Sequence, residues 1–146
     1  VFLTYPLGPQ LQALWRNPDT VAKLRYRVER TKELLAKRKQ PGGIQVYDDV
    51  LCGDEYLNLA ESGQLTDDDM LYIASFDGAQ LYQDKESDTF FGCAILVDYD
   101  KSIRHLKEMI SPLVIVGGPN APKDYDSFWQ PTFAHISALQ RHGLAL

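Results

Sequence analysis

Cysteine, methionine and tryptophan are scarce in this chain, at two copies each in 146 residues. The thiols, Cys52 and Cys93, are too far apart for a CxxC pair and too few for a disulfide framework. They read as reduced core or near-core residues of an intracellular protein. No apolar run approaches the ~20 residues that cross a bilayer, so no membrane partner is expected. Val1 to Pro6 carries neither the basic segment nor the longer apolar segment of a signal peptide, and the chain lacks an initiating Met, which points to a fragment.

Further absences remove whole classes of chemistry. The glycine turn Gly117-Gly118-Pro119-Asn120 has neither the GxxxxGK[ST] nor the GxGxxG spacing of a nucleotide loop. There is no GxSxG elbow and no recognisable Cys/His pairing. His105, His135 and His142 are scattered, and no third ligand stands beside the latter two, so no zinc motif is legible.

What is present is an ordinary globular composition, 45% apolar and 24% charged, in a chain long enough for one core. The net charge of −5 hides an asymmetry: Arg16 to Lys39 holds nine of the fifteen basic residues and only three acidic ones. Two readings follow. A basic helix contacts nucleic-acid phosphates, or the same face packs against the acidic remainder of its own chain.

Pro6 and Pro9 mark a lead-in with a short apolar face at Leu11, Leu14 and Trp15. Asn17-Pro18-Asp19 is a helix start: Asn caps, Pro suits the first turn and Asp complements the dipole. Val21, Leu24, Val28 and Leu35 give one stripe, predicting a basic helix over 18–40 that Pro41-Gly42-Gly43 ends. A second, acidic helical region follows between Ile44 and Ser62, with Asp54 as a cap and Gly63 as its stop. Residues 1–66 thus read as a helical preface.

Beyond residue 66 the pattern changes to strands near 70–76, 90–99 and 113–117, then a helix near 124–142 in which Pro131 is a potential kink. The short polar stretch Gln83 to Asp88 predicts an antiparallel hairpin between the first two strands. The fold class is α/β in the α+β sense. Asp77-Gly78, where the first apolar run ends, either starts a turn or presents a metal ligand at a sheet edge. Asp77, Asp84, Glu86, Asp88, Asp98 and Asp100 all fall at strand ends or in the hairpin turn. Carboxylates of this kind suit a hard cation such as Mg²⁺.

The run Ser75-Phe-Asp77-Gly-Ala-Gln80-Leu-Tyr82-Gln-Asp84-Lys85-Glu-Ser-Asp88 resembles the segment around the first catalytic aspartate of CACTA-type transposases and their Kyakuja/Dileera/Zisupton relatives, abundant in mushroom-forming fungi. The likeness continues through Gly117-Gly-Pro-Asn-Ala-Pro122-Lys-Asp-Tyr-Asp126-Ser-Phe128 and His135-Ile-Ser-Ala-Leu-Gln-Arg-His-Gly143. Upstream, Tyr5 to Leu14, Leu24-Arg-Tyr-Arg27 and Tyr47 to Asp54 resemble the same family. The resemblance implies an RNase H-like core of the DDE type, its first half occupying 67–146, and a nuclear location. Asp77 would be the first catalytic metal ligand, holding Mg²⁺ or Mn²⁺ on the middle member of a three-stranded platform. The ion would activate water or a 3′-hydroxyl at a DNA phosphodiester. DNA would be the partner, with a homo-oligomer as a further one, and Arg25, Arg27 and Arg30 would be candidate contacts. Gly117 and Ala121 depart from the family's commoner residues, and the remaining acidic ligands would lie beyond Leu146, leaving this span inactive alone.

Overall fold

A computed structural model describes residues 2–80, 88–118 and 124–145. The basic stretch does not form one helix. After a first helix α1 (Leu7–Trp15), the Asn17 side chain accepts from the Asp19 N–H at 3.0 Å and starts α2 (Pro18–Lys23), as its residue type favours. The chain then bends at Leu24-Arg25 before α3 (Tyr26–Arg38). The bend places Leu24 in the core beside Leu7 and Leu11. It also rotates α3 so that Arg27, Thr31 and Leu34 face inward, a stripe offset from the expected one.

A short helix α4 (Asp54–Glu61) ends before Gly63, whose φ of 75° is the left-handed conformation that glycine adopts without strain. The sheet contains β1 (Phe2–Thr4), β2 (Tyr72–Gln80), β3 (Asp88–Leu96) and β4 (Ile110–Val116) in the order β1-β4-β3-β2, every pair antiparallel. The expected hairpin pairing is present, with Tyr72 opposite Leu96 and Asp77 opposite Phe91. The second strand stops at Leu96 rather than running to residue 99, because Val97, Asp98 and Tyr99 turn into the interior and are buried.

Two corrections concern strand placement. The strand carrying Asp77 is an edge strand; β3 is the middle of the three, since β4 pairs on its other side. The lead-in also contributes β1, three residues paired with β4 and too short to be seen as a periodic run. Helix α5 (Asp126–His142) includes Pro131 within its length, in agreement with its expected span.

Helix α5 lies on one face of the sheet. Alternation along the strands aims Phe76, Phe90 and Phe2 at it, where they meet Trp129 (ring centroids 4.3 Å apart), Tyr125 (4.8 Å) and Phe128 (5.1 Å). Gly92 makes this approach possible. A Cβ there would lie 2.6 Å from Phe76 and 2.9 Å from Trp129.

Two apolar clusters form the interior. One joins α1, α5 and the sheet through Leu7, Leu11, Leu96, Leu113 and Ile136; the other joins Leu34, Leu51, Cys52 and Leu57 to Val97. Residues from both sides of position 66 share both clusters, so the preface packs as part of the same core. Replacing Gly92 with Ala is expected to destabilise the protein by about 1–3 kcal/mol, because the Phe76 and Trp129 rings must shift to admit the methyl group. A urea unfolding midpoint equal to that of the parent would refute this packing role.

Candidate functional site

Asp77 sits late on β2, and because its neighbour Phe76 points at α5, its own side chain points to the opposite face. It is exposed, and its Oδ1 accepts from the Gly78 N–H at 2.8 Å. The register places it at one end of a cross-strand row, Asp77–Phe91–Ile115–Leu3. Apart from Asp77 that row is apolar, and Phe91 and Leu3 are 38% and 52% exposed. On the same face, beyond the row Ser75–Cys93–Pro112, runs a further row, Ile73–Ile95–Ile110. Between them, Phe91, Cys93, Ile110, Pro112 and Ile115 line a shallow depression of about 300 Å³. Among the described residues the sheet thus has one face covered by α5 and one largely apolar face with Asp77 at its margin.

Of the other candidate carboxylates, Asp84 and Glu86 and the side chain of Asp88 lie outside the described residues. Asp98 and Asp100 hold structural positions. Asp98 is buried, accepting from Arg27 Nε at 2.9 Å through Oδ1 and from the Leu71 N–H at 2.9 Å through Oδ2. Asp100 caps the following turn by accepting from the Ser102 N–H at 2.8 Å. No group of three or more His, Cys, Asp or Glu residues suited to a metal occurs among the described residues.

The three arginines separate sharply. Arg27 is not available to a phosphate: its side chain is 3% exposed, and besides Asp98 it donates to the carbonyls of Thr66, Asp67 and Asp69. Burial opposes its charge, but the hydrogen bond and charge of Asp98 outweigh that and raise its pKa. Burial pushes the Asp98 carboxyl above its ordinary range, against the pull of Arg27. Arg30 is held by Glu33 at 2.7 Å and Asp48 at 3.3 Å, which raise its pKa. Arg25, on the elbow between α2 and α3, is exposed and forms no ion pair with the described residues.

The rest of the basic stretch is largely neutralised within the chain. Lys32 pairs with Asp67, Lys37 with Glu33, and Arg38 and Lys39 with Glu61. Beyond α3 a second buried contact forms, Arg104 donating through both terminal nitrogens to Asp49 at 2.9 and 2.8 Å, with its guanidinium 5.8 Å from the centre of the Tyr26 ring. Burial and the nearby Asp49 push the Tyr26 hydroxyl up to about 12. Sequence reasoning missed this role for Arg104, which lies in a charged loop with no periodic signal.

Comparison with protein-family models, with curated proteins and with solved structures finds no match. No helix among the described residues is long and apolar enough to cross a membrane.

Two outcomes follow from the ion pairs. Arg27→Met is expected to cost about 3–5 kcal/mol, with much of the loss recovered in Arg27→Met/Asp98→Leu, because an isolated buried charge is worse than none. Chemical denaturation of the two variants beside the parent measures this, and a single variant as stable as the parent would contradict it. Lys101 also donates to Asp48 and holds that carboxyl down at about 2. A depressed carboxylate stabilises the fold above its unfolded pKa, so this contribution is present above about pH 4 and fades as pH falls towards 2. Carboxyl NMR should find the Asp48 midpoint shifted back towards pH 4 in Lys101→Ala.

Proposed function

We propose that this chain is the first half of an RNase H-like core from a DDE-type DNA transposase, or from a gene derived from one, with Asp77 as the first metal ligand. The observation that carries the reading is the unit β2–β3–β4–α5: three consecutive antiparallel strands, then a helix on one face, with Asp77 on the first strand. The motif likeness around Ser75–Asp88 and Gly117–Phe128 supports it. A single carboxylate is not a two-ion centre, so on this reading the described residues do not cut DNA by themselves and the other ligands come from sequence beyond Leu146.

The test is Mn²⁺-dependent nicking of DNA by a polypeptide continuing past Leu146. The parent should nick, and Asp77→Ala should lose at least about 100-fold of the rate, as removal of an ion ligand implies. Nicking that persists in Asp77→Ala defeats the assignment.

A second reading is a non-catalytic, transposase-derived module that binds DNA or protein. Specific observations favour its protein-binding form: most cations of the basic stretch are paired internally, while an apolar sheet face is exposed. Arg25 remains the contact to probe for DNA. If it touches phosphate, Arg25→Glu should weaken binding and flatten its salt dependence. Duplex affinity that ignores both salt and this substitution excludes the contact.

A further inference from the structure

Helix α1 begins without a cap of its own. Pro6, at the N-cap, offers no side-chain acceptor, and Pro9 in the first turn has no N–H. The buried Gly8 N–H is satisfied from the far end of the chain instead, donating to His135 Nε2 on α5 at 3.0 Å. Glycine lets the ring come this close: a Cβ at residue 8 would lie 3.3 Å from Nε2 and 3.3 Å from the Leu139 side chain. The segment in front of the contact is short. β1 pairs with β4 through three residues, and the Tyr5 N–H then donates to the Leu113 carbonyl at 2.8 Å.

An imidazole accepts this bond only while Nε2 is unprotonated. The imidazolium has two donors and no acceptor, so no rotation of the ring restores the bond, and its charge would face the positive end of the α1 dipole. The surroundings offer that charge no counter-ion. β1, α1 and β4, which pack on α5 here, contain no Asp, Glu, Lys, Arg or His. The groove beside the ring is walled by Thr4, Pro6, Leu7, Pro131, Thr132 and Ile136. On α5 itself the other charged or titratable residues are Asp126, Arg141 and His142, all more than one turn away. Across Ile136 and Leu139, Asp68 and Asp69 line the adjoining cavity, where Asp69 is held by the Thr66 N–H and hydroxyl.

We propose that the His135–Gly8 contact is an acid-sensitive latch: protonation of the ring releases the start of α1, and β1 with it, from α5 and β4. The latched form excludes a proton that the released form accepts, so latching is favoured as pH rises and lost as pH falls. Release uncovers the outer edge of β4, which β1 otherwise pairs with. The latch lies away from Asp77 and is independent of the transposase reading.

The experiment is amide hydrogen exchange of the whole chain, read by NMR and corrected at each pH for the intrinsic exchange rate. Protection at Tyr5 and Gly8 should fall about tenfold between about pH 8 and pH 5, the range in which histidine changes charge, while the Leu57 amide in α4 keeps its protection. His135→Gln, whose side-chain oxygen accepts at any pH, should hold Tyr5 and Gly8 protected throughout. His135→Phe, which has no acceptor, should show the lowered protection already at pH 8. Unchanged protection in the parent overturns the proposal. So does a fall that persists in His135→Gln or that Leu57 shares, since it then belongs to another group, such as the buried Asp98 carboxyl. Should His135→Gln fail to fold, the parent decides alone, by whether its fall is confined to Tyr5 and Gly8.

Discussion

A buried arginine on a helix and a buried aspartate at the end of a strand hold this molecule together. Arg27 and Asp98 are seventy-one positions apart, and the guanidinium also gathers the carbonyls that precede β2. Removed from water, neither charge is tolerable alone, so α3 has one orientation in which both are satisfied. That orientation sets the bend at Leu24-Arg25, turns Thr31 and Leu34 inward and brings the acidic loop 66–69 against the basic helix. The charge asymmetry that divides the sequence is therefore largely closed within the fold. A +6 stretch beside a −11 remainder need not face an external partner when Arg27, Arg30, Lys32 and Lys39 all meet carboxylates at home.

The sheet carries the functional argument. Its aromatic face is closed by α5, with Gly92 allowing Phe76 and Trp129 to meet. The other face exposes Leu3, Ile73 and Phe91, with Asp77 at its margin on an edge strand. A carboxylate beside open apolar surface fits a core that adds further elements on that side, and it also discourages unintended strand pairing at a free edge. The transposase reading and the interaction-module reading both begin from this geometry. They part on whether other acidic groups converge on Asp77.

Much of the architecture was legible because local chemistry dictated it. The alternating apolar runs, the short polar connection between them and the glycine stop at residue 63 led to β2, β3, β4, α4 and α5 within a few residues. Asn17 capped where its side chain predicts. The three-residue β1 gave no periodic signal, and its strand character comes wholly from pairing with β4. The helical stripe through Val21, Leu24, Val28 and Leu35 misled for a related reason: hydrophobic periodicity assumes that the inward face is apolar. Here Arg27 and Thr31 occupy it, made acceptable by Asp98 and by the Tyr56 hydroxyl 2.5 Å from Thr31 Oγ1.

By itself the sequence determined the kinds and order of the elements from α4 onward and the residue types that stop and start them, because those follow from backbone preference and short-range hydrogen bonding. Only the tertiary structure decided which charges face water. Arg25 and Arg27 are two residues apart on paper and read alike, yet one lies on the surface and the other is sealed against Asp98. Likewise Asp77 and Asp98 each look like a carboxylate at a strand end, and only long-range packing left one exposed and made the other an internal clamp. The physical reason is that burial and pairing depend on what the distant chain brings alongside, which no local window contains.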